Sequence, residues 1–215
     1  MKKRAIGKNG RKRKNAKLIA IVGPSASGKT YLAGKLAKKL GKKSTAVISQ
    51  DQYYKDWSKL PLKKREQINF DHPDAFDFSL LHEQLKNLKR SKSIKVPNYS
   101  YTQHKRVKKK TKVKPKEWVI VEGLLLLHRK GIKDLFDMKV YVDVDNATSL
   151  ARRIRRDTRE RGESVSSVST RFFNDVVPMQ EEYVVPQKNY VNFVISGKGD
   201  GQEKMKEIAR WLKRK

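Results

Sequence analysis

The residues with the clearest chemical potential are consecutive and lie near the N-terminus: Gly23-Pro24-Ser25-Ala26-Ser27-Gly28-Lys29-Thr30. The two glycines let the backbone curl so that successive N–H groups point inward at a polyphosphate, and a following helix N-terminus adds its positive dipole end. In this pattern the Lys29 ammonium reaches the β- and γ-phosphates, and the Thr30 hydroxyl binds Mg²⁺. The stretch therefore predicts a loop that holds a nucleoside triphosphate.

The segments on either side of this loop are the ones that the motif requires. Residues 18–22 form an apolar run typical of a buried parallel strand, and Leu32, Leu36 and Leu40 recur at helical spacing. A string of this kind arises by chance in a chain of this length only about once in a hundred. The order of strand, loop and helix favours a nucleotide site over a chance turn.

Two carboxylates follow or end predicted strands. Asp51 comes just after a strand over residues 45–49, and Glu122 ends a buried strand over residues 118–123. In an open α/β sheet ligands bind at the carboxyl ends of the strands, so Asp51 is a candidate to face an acceptor substrate. From the residues alone, Asp51 could equally cap a helix or turn. Glu122 resembles the acid of the second NTPase motif that helps to hold Mg²⁺, although Asp is usual there.

Arginines are concentrated in a helix predicted to start at Asn146: Arg152, Arg153, Arg155, Arg156, Arg159 and Arg161. The planar guanidinium binds phosphate oxygens in pairs and stays charged. Arg153 and Arg156 are three residues apart and share one side of the helix, whereas Arg152 and Arg159 lie elsewhere on it. Gly162 ends the helix, and such a segment is suited to a lid that closes over a nucleotide.

The composition gives a formal net charge of +30 over 215 residues. Residues 1–17 contribute nine positive charges and no acid, which predicts a disordered basic arm. Three interpretations of the arm remain: contact with RNA, DNA or anionic lipid, a nuclear-import signal, and a lysine bias of the organism's proteins. Because lysine is in excess throughout, we favour the bias, with nonspecific polyanion contact as its by-product.

The chain has no cysteine and no long apolar run, so we expect a cytoplasmic protein without disulfides, thiolate metal sites or membrane spans. Its length favours a single domain. Periodicity predicts the remaining elements. We expect helices over residues 61–69, from about Ser79, over residues 165–182 with a break at Pro178, and at the C-terminus. We expect strands over residues 139–143 and 193–195, and a hairpin of residues 94–101 and 105–116 with Pro97 at an edge.

Taken together, the motifs closely resemble those of the uridine kinase (uridine–cytidine kinase) family of P-loop kinases. The resemblance runs from about residue 17 to the C-terminal helix. It rests on the phosphate loop, residues 49–54 and 69–77, Pro97 with Tyr99, His104, residues 121–123, residues 152–157 and residues 160–162.

The resemblance implies a P-loop-type parallel sheet flanked by helices, with a β-hairpin insertion and an Arg-rich lid, in a kinase domain of residues 17–215 after a basic arm of residues 1–16. It implies transfer of a phosphoryl group from ATP or GTP, with Mg²⁺, to the 5′-hydroxyl of uridine or cytidine. It also implies a homo-oligomer, a tetramer in this family.

Residue roles carry over by position. The resemblance makes Asp51 the general base and assigns Lys29 and Arg156 to catalysis. It assigns the phosphate donor to Gly23, Ser25, Ala26, Ser27, Gly28, Lys29, Thr30, Arg156 and Arg161. It gives Mg²⁺ to Thr30 and Glu122, and the nucleoside to Asp51, Tyr54, Phe70, Asp71, Tyr99, His104, Arg153, Glu163 and Arg171.

Three departures from the family pattern stand out. Glu163 stands where an arginine is usual, and Arg171 stands where a glutamine is usual; both positions face the nucleoside in the family. If these two side chains pair with each other, the base contact differs from the usual one. Near the C-terminus, Asn192 and Ser196-Gly197 replace an Asp and a Pro-Arg-Gly run.

Other functions compete with this interpretation. Phosphoribulokinase and pantothenate kinase share the loop and the strand-end acid, but the stretches from Asp71 to Pro73 and from Tyr99 to His104 favour a nucleoside. A basic nucleic-acid-binding NTPase or a pseudo-kinase would have no need of the carboxylate of Asp51.

Overall fold

The structure is a computed structural model that describes residues 15–199 and 202–213. Most of the predicted basic arm, residues 1–16, lies outside this range, and of the two arm residues inside it, Ala16 is buried in the core. Among the described residues no helix is long and apolar enough to cross a membrane.

A parallel sheet of five strands forms the centre of the molecule, with strand order β2-β5-β1-β6-β7. Its strands are β1 (Lys17–Val22), β2 (Thr45–Ser49), β5 (Trp118–Gly123), β6 (Met138–Asp143) and β7 (Phe193–Ser196). The two central strands β1 and β5 are apolar on both faces because helices cover both sides of the sheet. All five strands run the same way, so their carboxyl ends share one edge.

The helices form a layer on each side of the sheet. They are α1 (Lys29–Leu40), α2 (Leu62–Arg65), α3 (Phe78–Lys89), α4 (Lys130–Lys133), α5 (Asn146–Glu160), α6 (Val165–Arg171), α7 (Val177–Met179) and α8 (Gln202–Lys213). On one face, Leu32 and Leu36 of α1 and Ile208 of α8 pack on β1, β5 and β6. On the other face, the buried leucines of α3 pack on the same strands. The predicted α/β class is confirmed.

The predicted hairpin insertion forms a separate two-stranded sheet of β3 (Ile94–Ser100) and β4 (Lys105–Val113). The register shifts between Pro97 and Asn98, which gives a β-bulge. Pro97 pairs only with Lys110 of β4, so the predicted edge position is confirmed.

Two predicted helices differ from the structure. The helix predicted over residues 61–69 is a single turn, α2, because its residues are nearly all exposed and no apolar face anchors it. The helix predicted to break at Pro178 instead continues as α6, a π-helical turn (Phe172–Val176), α7, a second π-helical turn (Gln180–Val184) and a 3₁₀ turn (Val185–Tyr190). The N–H of Val177 donates to the carbonyl of Phe172, five residues back, and this wider spacing lets the helix pass the proline.

The turn after β2 is fixed by Gln50, the first residue of a short 3₁₀ helix (Gln50–Tyr53). Its buried side chain accepts a hydrogen bond from the N–H of Leu125 at 2.8 Å, which ties the end of β2 to the chain after β5. A Cβ atom on Gly123 would lie 2.3 Å from the Cβ of Gln50, so the two segments are in close contact. Asp51 is thereby held directly beside the end of β5.

We expect Gln50→Ala to lower the free energy of unfolding by about 1–3 kcal/mol, because the buried N–H of Leu125 loses its acceptor. Urea unfolding followed by tryptophan fluorescence measures the change. The matched control is Gln67→Ala at an exposed site, which should stay within about 0.5 kcal/mol of the parent. Equal effects of the two substitutions would contradict this account of the turn.

Candidate active site

The phosphate loop runs from the end of β1 to the first turn of α1. Gly23 has φ +147°, and a Cβ atom there would lie 2.3 Å from the carbonyl oxygen of Val142, so only glycine fits. Ala26 adopts the left-handed conformation at φ +55°. The back of the loop also touches Gly197 after β7, where a Cβ atom would lie 2.4 Å from the carbonyl oxygen of Ser27. The loop conformation is therefore fixed by close backbone contacts.

Lys29 is drawn back over this loop, where its Nζ donates a hydrogen bond to the carbonyl of Pro24 at 2.6 Å. Shielding from water lowers the pKa of Lys29, while the nearby carboxylates of Glu122 and Asp51 oppose that shift. The ammonium group therefore lies within electrostatic reach of both strand-end acids. A cation in this position can neutralise charge on a bound polyphosphate.

The acid at the end of β5, Glu122, is almost fully buried. Burial and the neighbouring charge of Asp51 raise the pKa of Glu122, whereas Lys29 and hydrogen bonds from the hydroxyls of Ser49 and Thr30 lower it. The structure thus brings the hydroxyl of Thr30 and the carboxylate of Glu122 together, as the sequence predicted.

The oxygen donors of Thr30 and Glu122 suit a hard divalent cation. Mg²⁺ is usually held by one or two carboxylates together with substrate phosphates and water, and not by a cage of protein ligands. The described residues contain no group of three or more His, Cys, Asp or Glu side chains arranged to hold a metal. The donor set therefore fits Mg²⁺ bound jointly with a phosphate chain.

A single carboxylate on α5, Asp157, holds three of the predicted arginines. Its oxygens lie 3.3 Å from Nε of Arg153, 2.7 Å from Nε of Arg156 and 3.3 Å from Nε of Arg161. Burial would raise the pKa of Asp157, but the hydrogen bond and charge of Arg156, together with Arg161 and Arg153, hold it below its usual value. Asp157 therefore acts as a charge hub for the arginines. Spacing in the sequence did not predict a role for Asp157, although Asp157 lies four residues after Arg153 and four residues before Arg161 and so faces both on the helix.

Arg153 links this hub to the rest of the site. One of its guanidinium nitrogens lies 3.1 Å from the Ser25 hydroxyl and 3.8 Å from the carboxylate of Asp71. Burial raises the pKa of Asp71, and the positive charge of Arg153 opposes that shift. The phosphate loop and the segment that carries Asp71 thus meet through a single side chain.

Aromatic side chains form the other end of the site. The Tyr54 ring lies 5.1 Å from the rings of both Phe70 and Tyr99, and the His104 ring stacks on Phe70 at 5.0 Å with an interplanar angle of 20°. Among the described residues, the buried hydroxyl of Tyr99 has no hydrogen-bond partner. Burial and the charge of Arg171 lower the pKa of His104, so its ring is neutral near pH 7. This end can take a planar, partly polar group.

The two unusual residues of the sequence, Glu163 and Arg171, lie at the same end and pair with each other. A guanidinium nitrogen of Arg171 lies 3.4 Å from a carboxylate oxygen of Glu163. The charges of Glu163 and Arg171 therefore compensate for each other within the pocket.

A cavity of about 670 Å³ joins these groups. Of the site residues predicted from the sequence, it is lined by Ser25, Ala26, Gly28, Lys29, Thr30, Asp51, Tyr54, Phe70, Asp71, Tyr99, His104, Glu122, Arg153, Arg156, Arg161, Glu163 and Arg171. Gly23 and Ser27 do not line it, because Gly23 packs against β6 and Ser27 is fully buried.

Sequence reasoning missed several lining residues, among them Arg152 and Tyr101. Arg152, which was expected elsewhere on the helix, reaches the phosphate loop and donates to the carbonyl of Ala26 at 3.4 Å. Tyr101 lies just after β3, two residues beyond Tyr99, and the rings of the two tyrosines are 5.8 Å apart. The Arg161 guanidinium lies over the Tyr101 ring at 4.9 Å.

The fold and the site define a P-loop phosphotransferase: a phosphate loop, a strand-end acid pair and a cluster of arginines share one cavity with a pocket for an acceptor. The model of the phosphoribulokinase/uridine kinase family matches residues 18–201, and the chain belongs to this family.

Relatives with known names agree with this assignment. The chain is 41% identical over 188 residues to uridine kinase of Staphylococcus haemolyticus, covering 87% of this chain and 91% of that protein. It is 41% identical over 185 residues to uridine kinase of Staphylococcus aureus, covering 86% of this chain and 89% of that protein. The solved structure of phosphoribulokinase from Rhodobacter spheroides is similar in fold, with a TM-score of 0.63 at 16% identity over 85% of this chain and 70% of that one.

We expect Asp157→Asn to lower the free energy of unfolding at pH 7 by about 3 kcal/mol or more, because three closely packed guanidinium groups lose their shared counter-charge. The folded-state pKa of Asp157 lies below the unfolded value of about 3.9. Its contribution is therefore complete above the unfolded value and is lost as the pH falls through the lower folded-state value, so the difference between parent and variant should shrink in acid. Urea unfolding at pH 7 and pH 3 measures both effects.

The matched control for this substitution is Asp134→Asn. Asp134 pairs with Lys130 at 2.7 Å on the exposed surface, where an ion pair contributes little. If Asp157→Asn changes stability no more than the control does, the arginine hub has no stabilising role.

Proposed function

We propose that the protein is a kinase that transfers the γ-phosphoryl group of ATP or GTP to the 5′-hydroxyl of uridine or cytidine, giving UMP or CMP in pyrimidine salvage. The observation that carries the proposal is the single cavity that holds the phosphate loop, Asp51 and the aromatic pocket together. The relatives named uridine kinase support the choice of a nucleoside as acceptor.

The phosphate donor is bound by the loop from Gly23 to Thr30, where Ser25, Ala26 and Gly28 line the cavity and supply N–H groups. Gly23 and Ser27 act through the shape of the loop, since the N–H of Ser27 donates to the carbonyl of Pro24 at 3.2 Å. Lys29, Arg156 and Arg161 neutralise the phosphate oxygens. Thr30 and Glu122 hold Mg²⁺, which when bound neutralises charge on the phosphate chain.

The nucleoside lies across the aromatic end. Tyr54 and Phe70 contact the base and sugar, and Tyr99 with His104 contacts the 4-position of the pyrimidine. The neutral imidazole of His104 has one donor and one acceptor nitrogen, so it suits either a keto or an amino group. Asp71, oriented by Arg153, accepts hydrogen bonds from the ribose hydroxyls.

Asp51 is the general base of the reaction. The 5′-oxygen attacks the γ-phosphorus while the bond from that phosphorus to the bridging oxygen of the leaving ADP breaks, and the hydroxyl proton passes to the Asp51 carboxylate. Phosphoryl transfer depends mainly on positioning and charge neutralisation, and the arginines and Lys29 supply that charge. A nucleoside monophosphate and ADP are the products.

The phosphoribulokinase branch of the family is the alternative for the acceptor. The stacked pair of Phe70 and His104 favours a planar base over a sugar phosphate, which offers no aromatic face. We also propose that the protein is a cytoplasmic homo-oligomer with a single kinase domain over residues 17–215. Light scattering measures the oligomeric state.

We expect Asp51→Asn to lower turnover by a hundredfold or more, because the amide cannot accept the proton, while ATP binding stays nearly intact. A coupled assay of ADP release with uridine measures the rate, and equilibrium titration measures ATP binding. Lys29→Ala should instead weaken nucleotide binding itself.

Asp56→Asn provides the matched control, since Asp56 is exposed and is not among the residues that line the cavity. An Asp51→Asn enzyme that phosphorylates uridine at the parent rate would refute the proposed base.

We expect the double substitution Glu163→Arg with Arg171→Gln to change the ranking of nucleosides, because it removes the ion pair that lines the aromatic end. A panel of nucleosides with Mg-ATP, scored by ADP release and monophosphate formation, measures kcat/KM for each. An unchanged ranking would show that the pair does not set the preference.

A further inference from the structure

The positive charge of the chain is concentrated in two segments. Residues 1–17 carry nine basic residues and residues 84–116 carry thirteen, and neither segment contains an acid. These 50 residues hold 22 of the 30 net positive charges, which leaves eight for the other 165 residues. A uniform lysine bias, which the composition alone favoured, does not account for this distribution.

The second segment contains the β3–β4 hairpin, whose outer face is a row of lysines. Lys110 lies opposite Pro97, and Lys112 lies directly opposite Lys95. These three lysines are exposed, and like charges directly opposite each other destabilise a strand pair. Lys109, at the bulge, and Lys114, just after β4, extend the row and are also exposed.

The first segment joins the fold at the base of this hairpin. The N–H of Lys17 donates to the carbonyl of Glu117 at 2.9 Å, and Nζ of Lys116 donates to the carbonyl of Lys43 at 2.6 Å. Lys17, Lys43 and Lys116 therefore lie where β1, β2 and β5 begin. This amino edge of the sheet is opposite the carboxyl edge that holds the nucleotide site.

Acids do not neutralise this surface within the part of the chain that the structure describes. Glu117 and Asp137 lie at the same edge, but Asp137 pairs with Lys89 at 3.2 Å. Within the described ranges, no ion pair involves a lysine of the outer hairpin face or of the amino edge. The charges of these lysines are therefore available to an external anion.

We propose that the outer hairpin face and the amino edge of the sheet form a binding surface for the sugar–phosphate backbone of nucleic acid, separate from the active site. Alternate lysines on a strand are about 7 Å apart, so the row presents charge along a line, which suits a linear polyanion. Val107 is the one large exposed apolar residue on the described hairpin strands, so the surface lacks the apolar groups with which proteins enter a bilayer. The same lack of exposed aromatic rings predicts binding without base stacking or sequence preference.

The test measures binding of the full chain to a fluorescent 30-base-pair DNA duplex and to a single-stranded RNA of 30 nucleotides, by anisotropy between 50 and 300 mM KCl. We expect both to bind, with affinity falling steeply with salt. Replacing Lys109, Lys110, Lys112 and Lys114 together with Gln should reduce the slope of log K against log salt for the duplex by about 3.6, at roughly 0.9 for each of the four lost phosphate contacts. Uridine phosphorylation by this variant should equal that of the parent.

The matched control replaces four exposed lysines outside both segments, Lys55, Lys59, Lys63 and Lys64, with Gln. It removes the same charge and should leave the slope nearly unchanged. Equal losses in the two variants would show an effect of net charge alone and overturn the proposal. Binding to phosphatidylserine vesicles without binding to either nucleic acid would assign the surface to a membrane and would also overturn it. Because the readout is nucleic-acid affinity, failure here is distinguishable from failure of the proposed kinase activity.

Discussion

Parallel pairing of β1 with β5, and of β5 with β2, is the constraint on which the site depends. The register sets Val22 beside Gly123 and sets both Ile21 and Ser49 beside Glu122. The carboxyl ends of β1, β2 and β5, which are far apart in sequence, therefore lie side by side at one edge of the sheet. Since each continues directly into functional residues, the phosphate loop, Asp51 and Glu122 meet without any of the three strands being distorted.

Charge balance is the second organising feature of the site. Four acids, Asp51, Asp71, Glu122 and Asp157, lie among several arginines and Lys29, and each carries a charge that would be costly to bury alone. Asp157 has a lowered pKa because arginines surround it, whereas the pKa of Glu122 is raised by burial and by the nearby charge of Asp51. The arginines around Asp157 thus favour its charged form more strongly than Lys29 favours that of Glu122.

The sequence predicted the strands of the sheet and most of the cavity because both depend on local patterns: apolar runs, glycine spacing and residue types at strand ends. It could not predict the course of residues 165–190, since the way in which the helix passes Pro178 depends on tertiary packing of Phe172 and Val184. It also missed Asp157 and Arg152. The role of a charged residue on an arginine-rich helix depends on which neighbours face it, and that is decided by the whole fold.

Gly197, just after β7, lies in close contact with the carbonyl of Ser27 in the phosphate loop. Any side chain at position 197 must displace the backbone of the phosphate loop, because its Cβ atom would overlap the carbonyl oxygen of Ser27. The turn just after the edge strand β7 therefore supports the phosphate loop from behind, and the shape of that loop depends on the absence of a side chain at position 197.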